Sequence, residues 1–453
     1  MLSLLADGFR RFLPSPFSIA LLLTLLAVVL SFFISYQGSV NEHVAVLANG
    51  WVKGVFRADL LMFGFQAMLM LVLGHMLAIA PPVNRFLTRV ANAIAGNTVR
   101  AVVGVAAVTM VLGWLNWGFG LIAGAILARK VAEVAASWHA TMNYPLLGAA
   151  GYTGMVIWHG GLSGSALIKA AENGHLSALY PHANMPESIG FNETVFSSMN
   201  VLVCTGIFLG VLLVLFALAK WKPEEGVPSA FLVTEKDNDQ SSTERPHPVD
   251  SRSIMNVLAG VLVIFSFGAS IADRDLSKLD WITPNFINGV LFGVVLLVNK
   301  SINSVLSSAE EAIGGTTGIL LQFPLYFGIM GIMTDSGMLS AIAKGLVEIS
   351  SPTTFPIFTF ISSALVNVFI PSGGGQWAVQ GPVVLQGASE LQLPLSKCLL
   401  AFAYGDQITN MLQPFWALPL LGITKLKARD IFPYTFIIML AAGLVVLLAL
   451  AVL

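Results

Sequence analysis

Glycines and small polar residues interrupt the apolar sequence at two places where backbone N–H groups are available to bind an anion. Segment 370–382 reads IPSGGGQWAVQGP, and segment 115–126 reads LNWGFGLIAGAI. Glycine leaves backbone N–H groups uncovered, and a helix that begins there offers unpaired donors and a partial positive charge, which can bind a carboxylate without an arginine. The residues predicted to bind a small anion at these two tips are Asn116, Trp117, Gly118, Ser372, Gly373, Gly374, Gly375 and Gln376.

Two further apolar stretches, 146–166 and 399–419, contain polar residues at predicted helix breaks. The side chains predicted to complete the binding site there are Thr153, His159, Ser163, Ser165, Asn410 and Gln413. Aromatic residues close to the tips and breaks are predicted to form an apolar wall for a short acyl chain. They are Phe119, Trp158, Trp377, Phe415 and Trp416.

Several of these residues also have a purely structural interpretation. Glycines in membrane helices usually permit close packing, and we favour that role for Gly148, Gly151 and Gly154. The hydroxyl of Thr153 can bond to a carbonyl of its own helix. A histidine in an apolar run is often satisfied locally, which we favour for His75 and leave open for His159.

The composition is that of a membrane protein. Hydrophobic residues make up 56% of the 453 residues and charged residues 10%, with a mean hydropathy of +0.80. A soluble chain carries about 25% charged residues, and apolar runs long enough to cross a bilayer recur along this chain. The net charge of −1 gives no reason to expect a nucleic-acid partner. Cys204 and Cys398 lie in apolar runs and are predicted to be buried core residues.

Nine apolar windows are predicted to cross the bilayer as helices. They are Phe17–Tyr36, Leu60–Ala80, Tyr144–Ala170, Ser198–Lys220, Ile254–Ile271, Ile282–Val298, Gly318–Thr334, Ser396–Ile423 and Ile431–Leu453. Two longer stretches, Val99–Val134 and Thr354–Gly387, are broken by central glycines and are predicted to be re-entrant hairpins with arms of about 15 to 17 residues. Lysines and arginines lie mainly on the side of the N-terminus, which predicts a multi-pass protein with a cytoplasmic N-terminus.

The two halves of the chain resemble each other at an offset of about 255 residues. Residues 1–220 and 281–453 are predicted to be repeats, 221–252 a polar cytoplasmic linker, and 253–280 a joining span. A single joining span reverses the second half relative to the first. The predicted fold class is therefore an all-α polytopic membrane protein, an inverted-repeat secondary transporter with two re-entrant hairpins and two broken helices.

Asp406 is the acidic residue predicted to lie deepest in a broken helix. An aspartate inside the membrane costs about 2.5–3.5 kcal/mol on the insertion scale, so a functional role is expected. We predict that Asp406 carries the coupling ion, either a proton or sodium. Asp335, in contrast, is predicted to lie at a span end, where hydration removes that cost.

Motifs of enzymes and cofactors are weak in this sequence. Segment 118–123, GFGLIA, matches G-x-G-x-x-A without a βαβ unit around it, and segment 161–165, GLSGS, narrowly fails the G-x-S-x-G pattern. An intramembrane hydrolase using Ser163 or Ser165 with His159 is the alternative from another class. No ATP-binding loop or zinc motif is present in the sequence, so no cofactor is predicted.

Four segments carry a resemblance to a known family. NWGFGLIAGA, PSGGGQWAVQGP, LLQFPLYFGI and AYGDQITNMLQPFWALP resemble the signature segments of the bacterial short-chain fatty acid transporter family, which accompanies acetoacetate and butyrate catabolism. The resemblance implies an inner-membrane permease whose partners are a short-chain monocarboxylate, a proton or sodium, and the lipid bilayer. In the family pattern, glutamate is usual at the position of Asp406 and glycine at that of His159. A permease for another small carboxylate or ion is the alternative, and the oligomeric state, including a homo-oligomer, is left open.

Overall fold

The structure is a computed structural model that describes residues 15–36, 38–180, 185–221, 253–272, 281, 284–299, 301–338, 341, 344–345, 348–369 and 373–452. Every regular element in these ranges is helical, which confirms the all-α prediction. Five of the described helices are long and apolar enough to cross a membrane, within the windows Phe17–Ile34, Leu60–Leu77, Thr98–Leu115, Ser198–Trp221 and Ala428–Val452. The cysteines Cys204 and Cys398 are buried, as predicted.

The first half contains ten α-helices in the described residues, and two of them form a broken helix. They are α1 (Pro16–Ile34), α2 (Val40–Val55), α3 (Ala58–Ile79), α4 (Pro81–Ile94), α5 (Thr98–Leu115), α6 (Trp117–Ser137), α7 (Tyr144–Tyr152), α8 (Ser165–Ala171), α9 (His175–Leu179) and α10 (Ser198–Trp221).

The second half follows a similar order of elements after the helix α11 (Ser253–Ala269). Its helices are α12 (Pro284–Val298), α13 (Ile302–Ile313), α14 (Thr317–Asp335), α15 (Phe355–Phe369), α16 (Gly373–Glu390), α17 (Leu395–Thr409), α18 (Pro414–Thr424) and α19 (Ala428–Val452). Of the predicted linker 221–252, only Trp221 is described, as the last residue of α10. Residues 222–252, and residues 273–280 of the predicted joining span, lie outside the described residues. The division into repeats and their inversion therefore remain predictions.

Three amphipathic helices occur where no span was predicted, namely α2, α4 and α13. A search for continuous apolar windows misses such helices because only one face is apolar. Local signals do mark their starts. Ser39 and Glu42 form a capping box at α2, and Pro81 and Pro82 open α4.

The first predicted hairpin is the pair α5 and α6, which a single residue connects. Asn116 ends α5 and caps α6, where its side chain accepts a hydrogen bond from the Phe119 N–H at 3.0 Å. The arms are 18 and 21 residues long, longer than the predicted 15 to 17. Helix α6 extends past its apolar part because Arg129 and Lys130 both pair with Glu133, at 2.9 and 3.0 Å. In the second hairpin, α15 and α16, the turn 370–372 lies outside the described residues.

Both predicted broken helices are confirmed. Between α7 and α8 the chain forms two short 3₁₀ turns and then becomes extended at Gly161, whose Cβ, if present, would lie 2.0 Å from the Trp114 carbonyl oxygen. Between α17 and α18, Pro414 disfavours helical backbone at the residue before it. Gln413 is accordingly extended, with φ −83° and ψ 117°.

The helices pack in two groups, and each group draws on both halves of the chain. In the first group, α1 and α2 pack against α14, and α3 packs against α12 and α13. In the second group, α5 and α19 pack against α10, α6 packs against α18, and α15 packs against α17. The hairpin helices and the broken helices all belong to the second group, which therefore contains the candidate site.

Candidate functional site

The two helix breaks meet in the interior of the second group. Tyr152, the last residue of α7, donates its hydroxyl hydrogen to the Asn410 carbonyl oxygen at 2.8 Å. Tyr152 and Asn410 are both fully buried. The contact joins residues 258 positions apart in sequence and aligns the first break with the second.

A buried histidine–aspartate pair lies where the breaks meet. His159 Nδ1 and Asp406 Oδ2 are 2.5 Å apart, and their side chains are 0% and 1% exposed. The Ala166 N–H donates to His159 Nε2 at 3.1 Å, so Nε2 carries no hydrogen and the imidazole hydrogen lies on Nδ1. The imidazole is therefore neutral and donates to the Asp406 carboxylate.

Gln407, the residue after Asp406, is hydrogen-bonded to the backbone of the first break. Its Oε1 atom accepts hydrogen bonds from the N–H groups of His159 and Gly160, each at 3.0 Å. Asn200 on α10 supports the same turn, because its amide donates to the Gly160 carbonyl oxygen at 2.8 Å while its oxygen accepts from the Tyr404 hydroxyl at 2.9 Å.

The starts of the two hairpin helices reach the first break. The N–H of Trp117, at the start of α6, donates to Ser163 Oγ at 2.9 Å. At the start of α16, a Cβ placed on Gly373 would lie 2.7 Å from His159 Cε1, and one on Gly374 would lie 3.7 Å from Ser165 Cβ. The structure therefore brings together both helix starts, the first break and Asp406.

Other predicted site residues make local contacts. Thr153 donates to the Ala150 carbonyl oxygen at 2.8 Å, the structural role left open by the sequence. Gly118 packs against Met70. Gln376 donates to the Ser363 carbonyl oxygen at 2.9 Å. Ser372 lies outside the described residues.

Asn367, Gln407 and Asn200 were not among the predicted site residues. Each is fully buried and hydrogen-bonded around the breaks. The available signal was a polar amide inside an apolar run, which in a membrane helix indicates a bonded partner or a function. Their partners lie far away in sequence, so the sequence alone did not connect them.

Three tryptophans form an apolar cluster beside the His159–Asp406 pair. Trp158 stacks on His159 with ring centroids 4.4 Å apart, and Trp117 and Trp416 lie edge-to-face at 5.1 Å. Trp158 is 6.5 Å from each of the other two rings. Of the other predicted wall residues, Phe119 is 45% exposed, Phe415 stacks on Phe323 on α14, and Trp377 packs against Phe402 on α17.

His75 and Asp335, which are predicted to have structural roles, make polar contacts elsewhere. His75 Nε2 lies 3.5 Å from Glu311 Oε1. Asp335, the last residue of α14, pairs with Lys53 at 3.3 Å. Neither residue contacts the described part of the candidate site through these pairs.

Comparison with known proteins identifies the family. A family model described as short chain fatty acid transporter matches residues 1–453. The chain belongs to this family. It is 34% identical over 445 residues to a protein of Escherichia coli K12 named for short-chain fatty acid transport, covering 97% of this chain and 96% of the relative. A protein of Haemophilus influenzae Rd with the same name is 32% identical over 434 residues, covering 94% of this chain and 93% of the relative.

The family is one of transporters, so the hydrolase alternative is excluded. The geometry agrees, because both nitrogens of His159 are bonded to Asp406 and Ala166 rather than to Ser163. His159 and Asp406, the two positions noted above as departures from the family pattern, contact each other.

Two solved transporter structures resemble the fold at low sequence identity. One is the Alcanivorax borkumensis YdaH transporter, with 15% identity, a TM-score of 0.44, and coverage of 96% of this chain and 98% of that chain. The other is Neisseria gonorrhoeae MtrF, which is described with a class of antimetabolite efflux pumps. It has 13% identity, a TM-score of 0.40, and coverage of 97% and 96% of the two chains.

Proposed function

We propose that the protein is a cation-coupled secondary transporter that moves short-chain fatty acids such as butyrate or acetoacetate across the bacterial inner membrane. The supporting observation is the convergence of two helix breaks and the start of α16 on the buried His159–Asp406 pair. Irregular backbone at membrane depth is tolerated where it is buried in protein or lines a cavity. In this proposal the carboxylate of a short-chain fatty acid accepts hydrogen bonds where the breaks and the start of α16 meet.

The substrate carboxylate binds at the start of α16 in this proposal. At the start of α6, two N–H groups already donate hydrogen bonds to the side chains of Asn116 and Ser163. At the start of α16, Gly374 lies beside the Ser165 side chain. The N–H groups of Gly373 and Gly374 at the start of α16, together with the helix dipole, favour an anion. The Trp117, Trp158 and Trp416 rings then face the acyl chain, whose length they limit.

Asp406 couples the cation to the substrate. A short-chain fatty acid is an anion at neutral pH, so its accumulation against an inside-negative potential needs a cation that travels with it. A carboxylate buried in the membrane is expected to have such a role. The bond to His159 ties Asp406 to the break that lies against Gly373, so occupancy of one site affects the geometry of the other.

In the membrane we propose a cytoplasmic N-terminus, inverted repeats and two hairpins that enter from opposite sides. The matching order of helices in the two halves supports the repeat. Labelling of single cysteines placed in residues 38–40 and 426–430 from each side of right-side-out vesicles tests the orientation. Labelling of both segments from one side would contradict the predicted topology.

Proteoliposomes containing the purified protein test the function. We expect exchange of labelled for unlabelled butyrate, and accumulation of labelled butyrate or acetoacetate only when a proton or sodium gradient is imposed. Asp406→Asn should lose gradient-driven accumulation and keep exchange. Full accumulation by Asp406→Asn would remove this residue from coupling. Exchange of other small carboxylates without exchange of butyrate or acetoacetate would favour the alternative permease.

A further inference from the structure

Buried polar atoms that have no hydrogen-bond partner within the described residues lie in the second helix break and on the helices around it, α15, α16 and α17. Four of them are oxygens, and two are amide nitrogens. They are Asn367 Oδ1, Gln376 Oε1, Asp406 Oδ1, Gln413 Oε1, Gln407 Nε2 and Asn410 Nδ2. An unpaired buried polar group destabilises the fold, and such groups are rare in native proteins. Their concentration at one break indicates a ligand.

The Asn367 amide lies at the centre of this region. Its Nδ2 atom is 2.6 Å from the Asp406 carbonyl oxygen, 2.8 Å from Asn410 Oδ1 and 2.9 Å from Thr409 Oγ1. An amide nitrogen has two hydrogens, so it cannot donate fully to three oxygens. The Gln413 amide lies against the Asn367 carbonyl oxygen, to which it donates.

A half-turn of the Asn367 amide exchanges its nitrogen and oxygen, which have nearly the same shape. The unpartnered Oδ1 atom would then face the Asp406 carbonyl, Asn410 Oδ1 and Thr409 Oγ1. The Thr409 hydroxyl donates its hydrogen to the Ala364 carbonyl oxygen at 3.1 Å, so all four oxygens would present lone pairs to one another and repel unless a cation lies between them. The carbonyl of Asp406 is available because it belongs to the last turn of α17, whose carbonyls have no partner within the helix.

We propose that this oxygen cluster binds the coupling cation and that the cation is Na⁺. The ligands are the carbonyl oxygen of Asp406 and the side-chain oxygens of Asn367, Thr409, Asn410 and Gln413. This inference rests on the proposed cation-coupled transport and deepens it. Carbonyls freed at a helix break are the groups that coordinate small cations in membrane transporters.

The chemistry of the ligands selects a monovalent cation. A proton would satisfy one oxygen and leave the others unpaired, whereas a metal cation satisfies several at once. Ca²⁺ sites rely on carboxylate ligands, but the proposed ligands are all neutral oxygens. Of the two common monovalent metal cations, K⁺ is concentrated inside cells and Na⁺ outside. The Na⁺ gradient is therefore the one that drives inward transport.

The position of the site explains how Na⁺ promotes substrate binding. The backbone of Asp406 contributes a ligand to the cation, and the side chain of the same residue holds His159, which lies against Gly373 at the start of α16. Ordering the break around Na⁺ therefore fixes the residues that present the substrate donors. By linkage, substrate must raise the affinity for Na⁺ by the same factor.

Thermal unfolding of the purified protein in NaCl, KCl or choline chloride at equal ionic strength tests the site. We expect only NaCl to raise the Tm.

Thr409→Val keeps the shape of the side chain but loses the oxygen. It should raise the half-saturating Na⁺ concentration about tenfold or more, since a hydrogen-bonding group next to a charge contributes about 1.5–3 kcal/mol. Thr409→Ser keeps the oxygen and should behave like the wild type. Asn256→Ala removes a buried amide on α11 and should leave half-saturation unchanged.

The outcomes separate the cation site from the transport function. No stabilisation specific to Na⁺, or equal half-saturation in Thr409→Val and Thr409→Ser, would overturn the site. Butyrate exchange with accumulation driven by a pH gradient in the absence of Na⁺ would also overturn it while leaving the transport function intact. Na⁺ binding that is lost in Thr409→Val, without butyrate exchange in the wild type, would support the cation site and contradict the proposed substrate.

Discussion

The contact between His159 and Asp406 should couple the two side chains energetically. In His159→Ala the Asp406 carboxylate stays buried, its Oδ2 atom loses the imidazole donor, and its Oδ1 atom has no partner among the described residues. A buried charge that is left uncompensated in this way costs about 3–5 kcal/mol. In the Asp406→Asn background no charge is left uncompensated, so the same truncation should cost about 1–3 kcal/mol. The expected coupling energy is about 2 kcal/mol.

A double-mutant cycle measures this energy. The free energies of unfolding of the wild type, His159→Ala, Asp406→Asn and the double variant are obtained by denaturant titration in detergent micelles, with tryptophan fluorescence as the signal. Trp158 stacks on His159, so part of the fluorescence of the nine tryptophans arises at the site. Effects that add within about 0.5 kcal/mol would show that the two side chains do not interact, and would refute the assigned contact.

A rescue variant separates the charge from the imidazole. His159→Gly with Asp406→Glu places at both positions the residues expected from the family resemblance, and the longer glutamate reaches into the space that the imidazole leaves. We expect the double variant to keep Na⁺-driven butyrate accumulation and each single change to impair it. Equal impairment of the double variant and His159→Gly would mean that the imidazole has a role of its own.

Further predictions concern the start of α16 and a histidine outside the apolar spans. Gly373→Ala should impair butyrate exchange because its Cβ would lie 2.7 Å from His159, whereas Gly374→Ala should be tolerated; equal exchange rates would contradict this geometry. Gly374→Val should abolish uptake and leave folded protein, as judged by its elution in size-exclusion chromatography. Burial lowers the pKa of His175, so protein stability should fall as the pH drops below about 6.5. His175→Gln, whose amide can still accept from Trp377, should flatten this dependence in Tm measurements.

The sequence predicted the broken helices because the residues that break them act locally. Pro414 disfavours helical backbone at Gln413, and the glycines at 160–164 lower the helix propensity over a short stretch. The apolar windows were found for a similar reason, since a membrane-spanning helix needs a continuous apolar surface.

Reasoning from neighbouring residues could not predict two features of the structure. They are the amphipathic helices α2, α4 and α13 and the contact between His159 and Asp406. An amphipathic helix is stabilised by the neighbour that covers its apolar face, and for α2 that neighbour is α14, far along the chain. His159 and Asp406 are 247 positions apart. Sequence identified both as polar residues in apolar surroundings, but only the packing of the breaks brings them together.

The same packing bears on how the protein changes conformation during transport. His159 to Asp406 and Tyr152 to Asn410 are buried contacts between the two sequence halves, so a rigid movement of one half against the other would break both. Both contacts lie inside the second group of helices. Movement of the second group against the first group leaves them intact, and keeps the proposed substrate and cation sites together throughout the cycle. We therefore expect a cysteine cross-link between α8 and α17, which are in contact, to preserve butyrate exchange and one between α14 and α18 to block it. The opposite result would assign the movement to the two halves.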